Sequence, residues 1–237
     1  LVASYLISST LRWATLVSPG AVLVAFDVAA DGTLTEQGER SMAALNRLTG
    51  VRYSRGKLGL WVGAEGAYFA QLDERLHMCA MTRVPTGWPA WGALDYGFAH
   101  PLSFGILTMS PEREVILVGV HHRSRWLIPQ HDTAMRELCE RVDVDPQQII
   151  VYGGHDLWAS RGGEDPETPA DKFLARKWRL EKATIARVAG ARAISERLGN
   201  PEAHVPVSLQ FGPLAKGAFQ TIARMVPDPH DPEDVKK

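Results

Sequence analysis

The stretch WGALDYGFAHPLSFGILTMSPEREVILVGV, residues 91–120, decides the fold class of this chain. It contains three apolar runs of strand length, and the turn from Ser110 to Arg113 separates the second run from the third. The pattern predicts three strands in an antiparallel meander. Asp95 lies within the first predicted strand, where burial of an unpaired carboxylate would be unfavourable. We therefore expect Asp95 to have a partner.

Beyond the meander, predicted helices alternate with further strands. The run QHDTAMRELCERV, residues 130–142, has apolar residues at helical spacing, and QQIIVYGG, residues 147–154, is a fourth apolar strand. This order predicts an α/β fold with a mixed sheet flanked by helices. The rigid PTGWP segment at 85–89 is the predicted start of the main domain, 85–237, after an N-terminal extension and linker, 1–84.

Composition excludes several classes of protein. With 45% hydrophobic and 22% charged residues and a net charge of −1, the chain has the composition of an ordinary globular protein, and its net charge indicates no partner. Cys79 and Cys139 form no CxxC pattern, which argues against a disulfide framework or a structural zinc site. The apolar opening is broken by Arg12 and Pro19 into pieces too short to span a bilayer, so we expect a buried strand or helix and no membrane role.

Two aspartates occupy similar places in the predicted sheet. Asp95 lies in the first strand and Asp156 follows the fourth, so the two carboxylates meet if these strands are neighbours. Adjacent carboxylates repel each other unless a cation lies between them, and oxygen ligands favour Mg²⁺ or Mn²⁺. Glycines at 97, 153 and 154 leave room for a substrate backbone. Alternatively, Asp95 ends its strand and Asp156 caps a turn.

Several strings resemble the nuclease domain of the phage large terminase subunit, which has an RNase H-like fold. ALDYGFAHPLSFGIL resembles the first acidic strand of that family and IIVYGGHDLWA the second, so the resemblance implies that Asp95 and Asp156 bind metal. LEKATIARVAGARAISERLG resembles the segment in which an Arg and a Gly, here Arg187 and Gly190, open a helix. DPHDPEDV resembles the approach to the third acidic motif, which we expect beyond Lys237.

The resemblance implies a metal-dependent endonuclease that cleaves double-stranded DNA during genome packaging, in the host cytoplasm. Two Mg²⁺ or Mn²⁺ ions about 3.5–4 Å apart would stabilise the attacking and leaving oxygens. Asp95 would bridge the two ions, Asp156 would complete one site, and the third carboxylate the other. Within the chain, only Asp231, Glu233 and Asp234 could substitute for that third ligand, and His155 could transfer a proton. The portal protein and the small terminase subunit are the implied partners.

The C-terminal part of the chain is basic, with ten Lys or Arg and three Glu between Lys172 and Arg224. This excess predicts phosphate contacts that hold DNA without reading its sequence, although a solvated helix face would have the same composition. The candidates, with two arginines that follow the third strand, are Arg123, Arg125, Arg176, Lys177, Arg179, Lys182, Arg187, Arg192 and Lys216. His121 and His122 are not predicted to form a metal pair, because neighbouring strand residues point to opposite faces.

Two other functions fit the same sequence. Another RNase H-like nuclease, of the resolvase or transposase type, would nick DNA of particular structure instead of cutting the duplex. A catalytically silent module would grip DNA or dock to the portal. No GxxxxGK[ST] loop is present, so the motor that precedes the nuclease in terminases is expected to lie outside this sequence.

Overall fold

The computed structural model describes residues 6–8, 11–16, 24–28, 33–46, 66–159, 167–184, 187–200 and 204–230. The chain divides into two compact units. One comprises Leu1–Leu76 with Ala223–Pro227, and the other comprises His77–Ile222 with the segment from Asp228. Each unit has its own sheet, and the candidate site lies in the second.

The first unit contains a three-stranded antiparallel sheet, ordered β1-β2-β3, and the helix α1, Glu36–Asn46. The strands are β1 Leu6–Ser8, β2 Leu11–Leu16 and β3 Val24–Val28. Thr35 precedes α1, and its Oγ1 accepts a hydrogen bond of 3.1 Å from the backbone N–H of Gly38, which satisfies one free N–H of the first turn. The apolar opening of the sequence therefore supplies strands.

The second unit is built on a six-stranded mixed sheet with the order β8-β7-β4-β5-β6-β9. β5 runs antiparallel to β4 and β6, and every other neighbouring pair is parallel. The strands are β4 Ala90–Asp95, β5 Leu102–Met109, β6 Val115–Arg123, β7 Ile150–Gly153, β8 Arg179–Lys182 and β9 Leu209–Leu214. The predicted meander is β4-β5-β6, and the first and fourth predicted strands, which the predicted site requires to be neighbours, form the parallel pair β4-β7.

Helices connect these strands, as expected for parallel neighbours, which need crossover connections. They are α2 Glu74–His77, which crosses the boundary between the units, α3 Ile128–Arg141, α4 Pro169–Leu174, α5 Arg187–Leu198 and α6 Lys216–Ile222, with a 3₁₀ turn at His155–Trp158. The chain thus forms the predicted mixed sheet flanked by helices.

One face of the sheet forms the main core, because β5 buries every second side chain. Leu102, Phe104 and Ile106 have no exposed surface, and α3 contributes Met135 and Cys139, which are also fully buried. Burying one such side chain stabilises the fold by about 1.5–3 kcal/mol. The intervening β5 residues lie on the opposite face, which therefore stays open for a site.

A polar cluster ties α3 to α4 and β8. The Asp132 carboxylate accepts hydrogen bonds from Arg136 Nε at 2.9 Å and from Trp178 Nε1 at 2.7 Å. Arg136 Nη2 also donates to the backbone carbonyl of Arg176 at 2.6 Å. Because Trp178 and Asp132 are largely buried, these bonds satisfy polar groups that would otherwise destabilise the core. The cluster fixes where β8 begins.

Thr168 caps α4 in a reciprocal arrangement with Asp171. Thr168 Oγ1 accepts a 3.2 Å hydrogen bond from the Asp171 N–H, and the Asp171 carboxylate accepts from the Thr168 N–H at 2.8 Å. These hydrogen bonds hold the pKa of Asp171 below its ordinary value. The cap orients a short helix that places Phe173 in the core.

Thr168→Ala is therefore expected to lower the free energy of unfolding by about 1 kcal/mol, the usual effect of removing an N-cap hydroxyl. Thr133→Ala is the matched control, because Thr133 is exposed within α3 and its hydroxyl donates to the Pro129 carbonyl of the same helix. Denaturant titration of both variants measures the difference. Equal unfolding free energies for the two variants would show that the cap is unimportant.

Candidate active site

The carboxyl end of the sheet is where the candidate site lies. β4, β6, β7, β8 and β9 all run in the same direction, so their last residues meet at one edge. In open α/β sheets this edge is the usual place for a ligand, because the loops that leave the strands surround it. Asp95, Arg123 and Lys182 are the last residues of β4, β6 and β8.

Asp95 is exposed, contrary to the sequence-based expectation of a carboxylate within a buried strand. β4 ends at Asp95, and the chain turns immediately, since a Cβ at Gly97 would overlap the carbonyl oxygen of His100. A carboxylate at this position is hydrated, so no partner is needed to offset a burial penalty. Its placement at the edge, and not its burial, makes Asp95 a candidate ligand.

Asp156 follows the strand that neighbours Asp95, because β7 pairs with β4. Leu94 pairs with Gly153, and the Gly154 N–H donates a 3.2 Å hydrogen bond to the Leu94 carbonyl. A Cβ on Gly154 would lie 3.7 Å from Asp95 Oδ1, so Gly154 borders the carboxylate directly. Asp156 follows two residues later in the 3₁₀ turn and is exposed. The expected proximity of the two aspartates therefore depends on the pairing of β4 with β7.

His155 bonds to the carboxylate next to it. Its Nε2 lies 2.9 Å from Asp156 Oδ1, and both side chains are mostly exposed. An exposed contact of this kind contributes little to stability. The contact does hold an imidazole against one of the two candidate carboxylates. A group that transfers a proton near those carboxylates would need a position of this kind.

The described part of the chain contains no group of three or more His, Cys, Asp and Glu side chains arranged to hold a metal ion. Asp95 and Asp156 fit a divalent ion in chemistry, since both are exposed carboxylates at one strand edge and Gly154 leaves space between the strands. Two carboxylates supply part of a ligand set. The candidates for a third, Asp231, Glu233 and Asp234, lie outside the described residues.

A groove of about 820 Å³ runs along the open face of the sheet and reaches Asp95. Its floor is Gly105, Leu107 and Leu117 of β5 and β6, and one wall is α6. Ser103 and His122 line the end near Asp95, with Ser103 Oγ 2.7 Å from His122 Nδ1. The sequence alone does not indicate this pair, because the two residues meet only through the register between β5 and β6.

The structure places seven of the nine predicted DNA-binding residues at two opposite edges of the sheet and the other two on α5. At the carboxyl edge lie Arg123 and Lys182, with Lys216 just after β9 and Arg125 in the loop after β6. Arg179 is the first residue of β8, so it lies at the opposite edge with Arg176 and Lys177, which immediately precede the strand. Arg192 is exposed on α5, and the side chain of Arg187, the first residue of that helix, lies outside the described part.

Two contacts give the carboxyl edge a defined shape. The Arg125 N–H donates a 2.7 Å hydrogen bond to the Phe98 carbonyl, which joins the loops after β6 and β4. Lys182 Nζ lies 5.6 Å from the centre of the Trp158 ring, within cation–π range. Arg125 and Lys182 are therefore held in place at this edge by contacts with neighbouring residues.

His121 and His122 point to opposite faces, as the strand pattern predicts. His121 Nε2 lies 2.9 Å from Nδ1 of the buried His131, and Trp126 packs against both rings. Burial, followed by the charge that His131 would carry, lowers the pKa of His121 to about 4. Burial also lowers the pKa of His131. One ring nitrogen must donate and the other must accept in this contact. The hydrogen bond is therefore lost when both rings are protonated.

The folded state therefore binds fewer protons at His121 than the unfolded state, whose imidazole has a pKa of about 6.5. The free energy of unfolding is expected to fall as the pH drops from about 6.5 to about 4, and this group contributes no further change below that range. His121→Gln should flatten the decline, whereas His100→Gln, at an exposed loop position, should not. Denaturation midpoints measured across this pH range test the prediction. Parallel curves of midpoint against pH for the unsubstituted protein and both variants would contradict it.

No helix in the described part of the chain combines the length and the apolar character needed to cross a membrane. No protein-family model and no curated protein matches the sequence.

Solved structures do match. The nuclease domain of the P22 large terminase gives a TM-score of 0.56 at 15% identity, over 73% of this chain and 85% of that domain. The large terminase from a thermophilic bacteriophage gives a TM-score of 0.53 at 20% identity, over 89% of this chain and 50% of that protein. This chain thus spans about half the length of the thermophilic phage protein, and its fold is that of the phage large terminase nuclease domain.

Proposed function

We propose that this chain is a divalent-metal-dependent endonuclease domain that cleaves double-stranded DNA, as part of a phage DNA-packaging terminase. The observation that carries this proposal is the position of Asp95 at the end of β4, bordered by Gly154, with Asp156 in the turn that follows the adjacent parallel strand β7. The fold shared with the P22 nuclease domain supports it. By the same likeness, the portal protein and the small terminase subunit are the proposed partners, in the host cytoplasm.

Asp95 and Asp156 would hold Mg²⁺ or Mn²⁺, the ions that carboxylate oxygens prefer, and a third carboxylate would complete the ligand set. A pair of such ions supplies the positive charge that stabilises the attacking and leaving oxygens of a phosphodiester during in-line displacement. No covalent intermediate with the protein is required.

The other residues of the site hold the DNA and move protons. Gly154 has no side chain to block a phosphate backbone from approaching Asp95. Arg123, Lys182 and Lys216 provide sequence-independent contacts to phosphates at the same edge. His155, held against the Asp156 carboxylate, is placed to take or give a proton near the metal ligands.

Cleavage of supercoiled plasmid by the purified chain tests the proposal. With Mn²⁺ or Mg²⁺, relaxed and linear products are expected, and EDTA should abolish them. DNA binding with no product under either metal would instead favour a silent DNA-gripping module. Nicking confined to branched junctions would favour a resolvase-like nuclease.

A further inference from the structure

Three polar residues form one row across the open face of the sheet. Asp95 of β4 pairs with Ser103 of β5, and Ser103 pairs in turn with His122 of β6. Paired residues of antiparallel strands place their side chains on the same face, and all three line the same groove. The row therefore extends from the candidate metal ligand into the groove.

Ser103 fixes the orientation of the His122 ring. The 2.7 Å contact between Ser103 Oγ and His122 Nδ1 is a short hydrogen bond between a hydroxyl and an imidazole. With Nδ1 engaged, Nε2 is the ring nitrogen that a ligand in the groove can reach. When Ser103 donates to Nδ1, Nε2 carries the proton, so His122 presents an N–H donor without needing a positive charge.

The surroundings of His122 are suited to an anion. Arg123, the next residue, is exposed, lines the same groove and donates from Nη1 to the His122 carbonyl at 3.2 Å. Among the described residues that line the groove, only Asp95 is acidic, and it lies two strands away. A phosphate at His122 would therefore meet an N–H donor and a guanidinium instead of a carboxylate.

The spacing determines which role is available to His122. Neighbouring strands are about 4.8 Å apart, so the backbones of Asp95 and His122 are separated by about 10 Å. Magnesium–oxygen bonds are about 2.1 Å long, so His122 is too distant to share an ion with Asp95. Phosphates of one DNA strand recur about every 3.4 Å along the helix axis, so a duplex whose axis is parallel to the row brings a phosphate about three nucleotides away to His122.

We propose that His122, oriented by Ser103, binds a DNA phosphate a few nucleotides from the one cleaved at Asp95 and so positions the strand in the groove. This inference rests on the proposed function, because it takes duplex DNA as the ligand. His122 acts in it as a positioning residue, with no part in the bond-breaking step.

The test uses the Asp95→Asn protein, which is not expected to cut DNA, with a short duplex of mixed sequence followed by NMR of the histidine rings. The His122 ring resonances should shift as the duplex is added, while those of His204, which is exposed in the segment before β9 at the opposite edge of the sheet, should not. Ser103→Ala should reduce the shift. In a binding assay, His122→Ala should weaken duplex affinity by about 10-fold and lower the salt dependence by about one phosphate contact, and His122→Lys should restore both.

In the protein with Asp95 intact, His122→Ala should raise KM for duplex and change kcat little. Unmoved His122 resonances on a bound duplex, or a fall in kcat with KM unchanged, would overturn the inference and leave the nuclease proposal standing. Shifts at His122 in a chain that never cuts DNA would support the phosphate contact and overturn the nuclease proposal. Failure to bind any duplex would overturn both.

Discussion

Asp95→Asn is expected to lower the rate of plasmid cleavage by about 10³-fold or more and to leave DNA affinity unchanged or slightly increased. Loss of one metal-binding carboxylate removes several kcal/mol of transition-state stabilisation, and about 4 kcal/mol corresponds to about three decades in rate. Asparagine keeps the shape of the side chain and removes its negative charge, so it also removes repulsion of the DNA phosphates. Cleavage time courses and binding isotherms measure the two effects separately.

The control for loss of one carboxylate is Glu137→Gln. Glu137 is exposed on α3, the helix that covers the opposite face of the sheet, so its substitution should leave cleavage unchanged. Asp156→Asn should resemble Asp95→Asn, and the double variant should be little worse than either alone, because ligands of one site act as a unit. Cleavage by Asp95→Asn at the rate of the unsubstituted protein would remove Asp95 from the mechanism.

The alternation of residues in β5 predicts its strand and its two faces, because a strand buried on one side leaves a two-residue period that depends only on local sequence. The pairing of β4 with β7 was a condition of the predicted site and was not itself predictable, because the order of strands in a sheet is set by the crossover connections and not by local sequence. The exposure of Asp95 was not predictable. It depends on where β4 ends, and the close approach of the His100 backbone to Gly97 shows that the chain turns directly after that point.

The run of basic residues in the sequence does not show which of them share one edge of the sheet. Lys177 and Lys182 are separated by five positions and belong to one basic run, yet β8 spans Arg179–Lys182 and carries the chain from one edge of the sheet to the other. A strand rises about 3.3 Å per residue, so a few positions along it separate two charges by more than about 10 Å. Ser103 and His122 show the reverse case, since residues 19 positions apart form a 2.7 Å contact through strand register.

Because the basic residues lie at two different edges, their contributions to DNA affinity can be separated by substitution. Replacing Arg123, Lys182 and Lys216 together with alanine is expected to reduce duplex affinity on the order of 10²-fold at moderate salt. The slope of log affinity against log salt should become shallower by about three, since each phosphate contact contributes nearly one. Binding isotherms over a range of salt concentrations measure both quantities.

The matched control removes the same charge from the other edge of the sheet. Arg141, Lys177 and Arg179 are exposed and lie at the end of α3 and at the start of β8. Their joint replacement changes net charge by the same amount, so any general attraction between protein and DNA falls equally in both triple variants. A larger loss at the carboxyl edge therefore measures direct phosphate contact there. Equal losses would mean that DNA does not lie along the edge that holds Asp95, and a cut at that carboxylate would then have no bound strand to act on.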